Sequence, residues 1–186
     1  ADGSLHTFGR NDYGQLGDGT TTNKYTPTQI LASGVVQVAA GNYHSLIVKS
    51  DGSFHTFGRN DYAQLGDGTT TNKNTPTQIL PSGVSQIAAG DNYSLILKSD
   101  GSLHTFGANH YGQLGDGSTS QRNTPTQILP SGSGVSQIAA GRSLSLILKS
   151  DGSLHTFGKN HLGQLGDGTT TNKNTPTQIL AAGVSQ

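Results

Sequence analysis

Four histidines recur at one position of a repeated pentapeptide, and imidazole is the commonest metal ligand in proteins. They are His6, His55, His104 and His155. One zinc ion would need their ring nitrogens about 2 Å away, whereas equivalent residues of stacked sheets stand about 10 Å apart. We therefore expect packing contacts or hydrogen bonds between neighbouring repeats from these rings, and we expect neither a metal nor another cofactor.

Hydrolysis is the second chemistry that the residue types suggest. His44 directly precedes Ser45, and Asp51 follows shortly after. Neighbouring residues of a strand point to opposite faces, so this trio does not converge as a base, a nucleophile and an orienting acid must. We therefore predict that the protein is not an enzyme.

The acidic residues are all aspartate, and eight of the eleven directly precede glycine. Asp-Gly favours tight turns, because aspartate bonds its own backbone and glycine accepts a positive φ. Gly17-Asp-Gly19 suggests calcium only loosely, since it lacks the alternating aspartates and distal glutamate of a calcium loop. Asparagine also recurs, and we interpret its positions as turn structure, since asparagine tolerates left-handed geometry. These are Asn11, Asn60, Asn109 and Asn160.

Composition narrows the class of protein. Among 186 residues, eleven basic and eleven acidic side chains cancel, so we expect no nucleic-acid partner and no anionic membrane partner. No run approaches the ~20 apolar residues of a membrane-spanning helix. The absence of Cys excludes disulfides and thiolate chemistry. The lack of Glu and Met and the abundance of Thr, Ser, Asn and Gly favour strands and turns over helices.

The repeated pentapeptide sets the architecture. Its copies are Leu5–Gly9, Phe54–Gly58, Leu103–Gly107 and Leu154–Gly158, and their phenylalanines are spaced by 49, 49 and 51 residues. The longer third spacing comes from Ser131-Gly-Ser-Gly134, which we place in a loop. We interpret residues 1–186 as a single array with repeats of approximately 1–49, 50–98, 99–149 and 150–186, the last one incomplete.

Four short runs bounded by Gly, Pro or Asp-Gly follow one another in each repeat period. The first four are Thr28–Leu31, Val35–Ala40, Ser45–Lys49 and Ser53–Phe57. Four short strands in about 50 residues are typical of a β-propeller blade. Leu46 and Ile47 point to opposite faces, so each sheet must be covered on both sides. We predict an all-β propeller of four-stranded blades with about four repeats, as a partial propeller or part of an oligomeric ring, in preference to a solenoid.

A longer string also runs through every copy. It combines Val-Xaa-Gln-Ile-Ala-Ala-Gly with Ser-Leu-Ile-Leu-Lys-Ser-Asp-Gly-Ser-Leu-His-Thr-Phe-Gly-Xaa-Asn-Xaa-Xaa-Gly-Gln-Leu-Gly-Asp-Gly. This string resembles the repeat of the regulator of chromosome condensation family, in a bacterial-type or consensus-like copy. The resemblance implies a seven-bladed propeller, with roles that range from nucleotide exchange on a Ran-type GTPase to inhibition of bacterial β-lactamases. Many members carry Trp where all four copies here have Phe.

The register of the repeat leaves such a ring incomplete. The chain has four copies of the first half of the repeat and three of the second. We therefore expect a segment of a longer chain in preference to a self-sufficient homo-oligomer, which stays open as an alternative. The location also stays open, with a preference for a secreted or cell-surface bacterial protein.

Differences between the near-identical copies gather in two loops of each repeat. We name residues 10–13, 59–62, 108–111 and 159–162 the A loops, and residues 42–44, 91–93 and 142–144 the B loops. Tyrosine and arginine on a rigid scaffold are typical of protein-binding surfaces, although neutral drift would also vary exposed loops. The candidate partner-binding residues are Arg10, Asp12, Tyr13, Asn42, Tyr43, His44, Arg59, Asp61, Tyr62, Asp91, Asn92, Tyr93, His110, Tyr111, Arg142, Lys159 and His161.

These observations predict a non-catalytic scaffold that presents the A and B loops to a protein partner of unknown identity. The resemblance offers a nucleotide exchange factor for a small GTPase as one alternative. A structural or adhesive surface repeat, or an engineered repeat array, is another. We further expect replacement of Tyr13, Tyr62 or Tyr93 to leave folding intact.

Overall fold

The computed structural model describes residues 2–184, which form fourteen strands in four antiparallel sheets. The first sheet contains β1 (Leu5–Gly9) and β2 (Lys24–Leu31). The second contains β3 (Val35–Ala40), β4 (His44–Lys49), β5 (Phe54–Gly58) and β6 (Lys73–Leu80). The third contains β7 (Val84–Ala89), β8 (Tyr93–Lys98), β9 (Leu103–Gly107) and β10 (Arg122–Leu129). The fourth contains β11 (Val135–Ala140), β12 (Leu144–Lys149), β13 (Leu154–Gly158) and β14 (Lys173–Leu180).

Each four-stranded sheet is a blade whose strands follow one another in chain order. The first strands of successive blades, β3, β7 and β11, contact one another, so the blades stand side by side as in a partial propeller. The all-β propeller prediction is confirmed. Every blade begins in one predicted repeat and ends in the next. Within residues 2–184, no helix has the length and hydropathy needed to span a membrane.

The blades are held together by apolar contacts on both sheet faces. Leu46 and Ile47, which point to opposite faces of β4, are at most 1% exposed. Phe57 of β5 packs on the segment that follows the preceding A loop so closely that a Cβ atom added to Gly17 would lie 2.8 Å from the ring. Phe8, the equivalent residue of β1, has no earlier A loop in the described residues to pack on, and it is 64% exposed.

Polar side chains add hydrogen bonds between the inner strands, which are the first strands of neighbouring blades. The Gln37 amide donates to the carbonyl of Ser85 on the next blade at 2.6 Å, and Gln86 donates to Ser136 at 2.7 Å.

The last strand of each sheet is its outer strand. Each outer strand contains one proline, which has no backbone N–H to donate. These prolines are Pro27, Pro76, Pro125 and Pro176.

Candidate functional site

The A and B loops lie at the same end of each blade. β4 starts at the end of one B loop, and β5 leads into the A loop of that blade. The amide of Arg59 donates to the carbonyl of Tyr43 at 2.8 Å. Ala108 donates to Asn92, and Lys159 to Ser143, both at 2.9 Å. The two loops of every blade are therefore joined through the backbone and form one face.

A buried asparagine organises each A loop. Asn60 is fully buried, and its Oδ1 atom accepts a hydrogen bond from the amide of Leu65 at 3.0 Å. Its Nδ2 atom donates to Asp67 and to the carbonyl of Thr69, both at 3.0 Å. Among the described residues other than glycine, only Ala63 has a positive φ. Each asparagine nevertheless begins a turn, as predicted, because its carbonyl accepts a hydrogen bond from the amide three residues later; the amide of Ala63 donates to the carbonyl of Asn60 at 2.8 Å.

The aspartate of each Gly-Asp-Gly segment belongs to the same loop network. Asp18 accepts hydrogen bonds from Thr20 and Asn11 and lies 3.1 Å from the ammonium of Lys24. Burial alone would raise the pKa of Asp18, but the Thr20 hydroxyl and amide, Lys24 and Asn11 together hold it at about 2. Its carboxylate oxygens are thus engaged in loop structure, as the turn interpretation predicts.

Six aromatic rings from the A and B loops form a belt across neighbouring blades. We define this aromatic belt as Tyr13, Tyr43, Tyr62, His110, Tyr111 and His161. Tyr13 and Tyr43 meet edge to face with ring centres 5.1 Å apart. Tyr62 meets His110, and Tyr111 meets His161, both at 5.8 Å. Each of these contacts joins a loop of one blade to a loop of the next.

Basic side chains lie over the rings of the belt. The guanidinium of Arg59 is 5.0 Å from the ring centre of Tyr13 and 5.6 Å from that of Tyr62. Its Nε atom also pairs with Asp61 at 2.7 Å. Exposed ion pairs of this kind contribute little to stability. Their effect here is to fix the guanidinium over the aromatic rings.

His44 does not belong to this surface. It is 1% exposed, and its Nε2 atom lies 3.0 Å from the hydroxyl of Ser94 on the next blade. That hydroxyl donates to the carbonyl of Gln64, so Nε2 carries the hydrogen and Nδ1 is left without a partner among the described residues. Burial lowers the pKa of His44 to about 4. The prediction that His44 is a solvated contact residue is wrong because β4 starts one residue earlier than expected.

Tyr93 holds the equivalent position at the start of β8 and is also buried. Its hydroxyl donates to the carbonyl of Leu144 and lies 3.3 Å from that of Gly141. Burial raises the pKa of Tyr93 above its usual value. The prediction of a contact role for Tyr93 is therefore wrong, and its burial predicts that replacement lowers stability. The other fifteen candidate residues are exposed or half-buried.

Three of the repeated histidines, His55, His104 and His155, make local bonds at the opposite end of the blades. The Nε2 atom of His55 lies 3.0 Å from the hydroxyl of Ser53, two residues earlier. His104 and Ser102 repeat this contact at 3.1 Å. The expected hydrogen bond to a neighbouring repeat is therefore replaced by one at the start of the histidine's own strand.

The serine and histidine pair beneath the face, Ser94 and His44, is closed to solvent. His44 and Ser94 are both buried between two blades. Ser45, the predicted neighbour, donates instead to the carbonyl of Gln15 at 2.9 Å.

Sequence reasoning missed Leu162, which is 90% exposed at the tip of the last A loop. It occupies the position of Tyr13, Tyr62 and Tyr111 in the other copies. The alignment of the four copies could have identified this position. Leu162 adds an apolar side chain to the same face.

A sequence profile described as the regulator of chromosome condensation (RCC1) repeat matches residues 2–48, 51–97, 100–148 and 151–185. The chain belongs to the RCC1 repeat family. A second profile with that description matches residues 35–64, 84–113 and 135–164 of the RCC1 repeats. The resemblance found in the sequence is thereby confirmed.

Solved structures share the fold of these RCC1 repeats. Human WBSCR16 matches with a TM-score of 0.85 and 30% identity, over 96% of this chain and 48% of that one. Yeast RCC1 (Prp20) bound to Kap60 matches with 0.82 and 23% identity, over 95% and 44%. Prp20p from Saccharomyces cerevisiae, described with its binding properties to Gsp1p and histones, gives 0.82 and 23%, over 95% and 46%. The RCC1-repeat chain thus spans about half the length of these relatives.

Proposed function

We propose that this chain is a non-catalytic protein-binding scaffold whose partner contacts the A and B loops. The aromatic belt carries the proposal, because it presents rings from four successive sheets on one face. Tyrosine buries a large area at a low cost in side-chain entropy. Tyrosine and arginine are also enriched among the residues that dominate binding energy at protein interfaces.

Preorganisation of the belt supports the same function. Arg10 lies 5.3 Å from the ring centre of Tyr43 and pairs with Asp12 at 2.6 Å. The A loops are fixed from beneath by their buried asparagines, so little loop ordering remains to oppose association. Ordering of loops and long side chains is a main cost of binding.

A matched pair of triple variants tests this proposal. The belt variant carries Tyr13→Ala, Tyr62→Ala and Tyr111→Ala. The rim variant carries Gln78→Ala, Gln127→Ala and Gln178→Ala, at exposed positions of the outer strands. The probes are peptides selected from a displayed random library against the wild-type chain.

We expect most independent peptides to lose about tenfold or more in affinity for the belt variant, which corresponds to about 1.4 kcal/mol. Their affinity for the rim variant should be unchanged. Equal losses for the two variants, or losses for the rim variant alone, would contradict the proposal. Faster release of GDP from a small GTPase in the presence of the chain would instead support the exchange-factor alternative.

A further inference from the structure

The third A loop differs from the first two at the positions of one ion pair. Arg10 pairs with Asp12, and Arg59 pairs with Asp61, at 2.6 and 2.7 Å. In the third copy Ala108 replaces the arginine and His110 replaces the aspartate. The arginine and aspartate side chains of the first two copies are therefore missing from the third.

A cavity of about 220 Å³ lies beside Ala108. Tyr62 and Tyr111 line it with aromatic rings, and Arg142 and Lys159 contribute positive charge to its wall. It opens on the same face as the aromatic belt. A side chain of a bound protein can therefore enter it.

The charges of the wall favour an acidic group. Lys159 lies 4.9 Å from the ring centre of Tyr111, and no salt bridge among residues 2–184 includes it. Arg142 pairs with Asp91 at 3.0 Å. Counting Lys159, Arg142 and Asp91, the wall has one net positive charge. A partner arginine would face two cations and an aspartate that is already paired.

The amide of Asn92 adds a polar group to the wall. Its Oδ1 atom is buried without a hydrogen-bond partner in the part of the chain that the structure describes. A buried unpaired acceptor costs free energy. Because this oxygen is closed to solvent, it does not contact an incoming group, and the charge preference of the cavity rests on Lys159 and Arg142.

We infer that the Ala108 cavity binds one carboxylate side chain, aspartate or glutamate, of the protein partner. This inference rests on the proposed function. The carboxylate lies beside Lys159 as Asp61 lies beside Arg59, but it comes from the other molecule. Tyr62 and Tyr111 cover its methylene groups.

Titration of the ¹⁵N-labelled chain with capped amino acids tests the inference. The probes are N-acetyl-glutamate N-methylamide and the corresponding glutamine and arginine compounds. We expect saturable chemical-shift changes at Ala108, Asn92 and Lys159 with the glutamate probe. The glutamine probe should bind about tenfold more weakly, because it lacks the charge that Lys159 and Arg142 attract.

Two variants and a matched control localise the response. Ala108→Arg places the residue of the first two copies in the cavity and should abolish glutamate binding. Lys159→Gln keeps the cavity open and should weaken binding by about tenfold, so the test does not depend on Ala108→Arg alone. Lys149→Gln, at the opposite end of the blade, should leave glutamate binding unchanged.

The inference is overturned if the arginine probe binds the cavity as well as glutamate does, or if Lys159→Gln has no effect. Its failure is distinguishable from that of the scaffold proposal. Library peptides that need the aromatic belt but bind Ala108→Arg and Lys159→Gln normally would overturn the inference alone. A glutamate response at Ala108 together with peptides that ignore the belt would overturn the scaffold proposal alone.

Discussion

The Nε2 atom of His44 donates a hydrogen bond to the hydroxyl of Ser94 across the interface between two blades. The ring is completely buried there, and burial holds the pKa of His44 at about 4, below its ordinary 6.5. Protonation would place a charge at Nδ1, which has no partner among the described residues. The blade interface therefore requires the neutral imidazole.

This depressed pKa predicts that acid weakens the fold. Between pH 6.5 and 4 the unfolded chain binds a proton at His44 and the folded chain does not, so the free energy of unfolding falls as the pH is lowered. The slope is at most about 1.4 kcal/mol per pH unit, or roughly 3 kcal/mol in all. Urea unfolding across this pH range should show a smaller slope for His44→Leu than for wild type. The exposed Tyr25→Leu is the control, and equal slopes for all three proteins would refute the prediction.

Phe57→Ala should reduce the free energy of unfolding by about 3–5 kcal/mol, because it removes a buried ring from between two blades. Phe8→Ala is a matched control at the same repeat position. Its ring is 64% exposed, so its loss should change stability by no more than about 0.5 kcal/mol. Chemical unfolding followed by circular dichroism measures both changes. Similar losses for the two variants would show that the ring does not contribute through blade packing.

Ala63→Gly should raise the free energy of unfolding by about 1 kcal/mol, since Ala63 holds a left-handed conformation with φ of 57°. Gly14, Gly112 and Gly163 occupy this position in the other copies. The reverse change Gly163→Ala should cost about as much, because the nearest atom to the added Cβ is 3.8 Å away and only backbone strain opposes it. Gly112→Ala should cost more, because its Cβ would lie 2.5 Å from Asn174. A gain in stability for Gly163→Ala would refute this account.

Tyr93→Phe should lower stability by about 1 kcal/mol, which is the usual net loss for a buried hydrogen bond. The lost hydroxyl donates to the carbonyl of Leu144 on the neighbouring blade. Tyr62→Phe changes a half-buried ring of the face and should stay within about 0.5 kcal/mol. Thermal or urea unfolding of the two variants measures the difference. An equal response would mean that Tyr93 belongs to the surface after all.

The blades were predictable from the sequence because turn residues bracket every strand and apolar residues cover both faces. Val35–Ala40 coincides with the predicted run, and Ser45–Lys49 differs from β4 by one residue. That one residue is His44, which was predicted to lie in a loop and instead lies at a blade interface. The error arises because His44 follows a glycine and two polar or aromatic residues, a pattern that does not distinguish a loop tip from the first residue of a strand.

The position of the face was predictable, but its internal geometry was not. Comparison of the repeats indicated that Arg59 and Tyr62 lie in a variable loop, and the structure places them on one surface. The neighbour of Tyr62 on the next blade, His110, depends on how the blades stack, which no local pattern records. The partners of the Asn60 side chain could not be predicted for a similar reason, since the groups that it satisfies lie up to eleven residues away.

The prolines of the outer strands have a consequence for the molecule at high concentration. Repeats of near-identical sequence are prone to strand exchange and to edge-to-edge pairing between molecules, because any strand can substitute for its counterpart in another copy. Pro76 and its equivalents interrupt the row of free amide donors along the rim. Molecules at high concentration therefore present no uninterrupted edge strand on which further strands could pair. Additional copies of the repeat would not add such an edge.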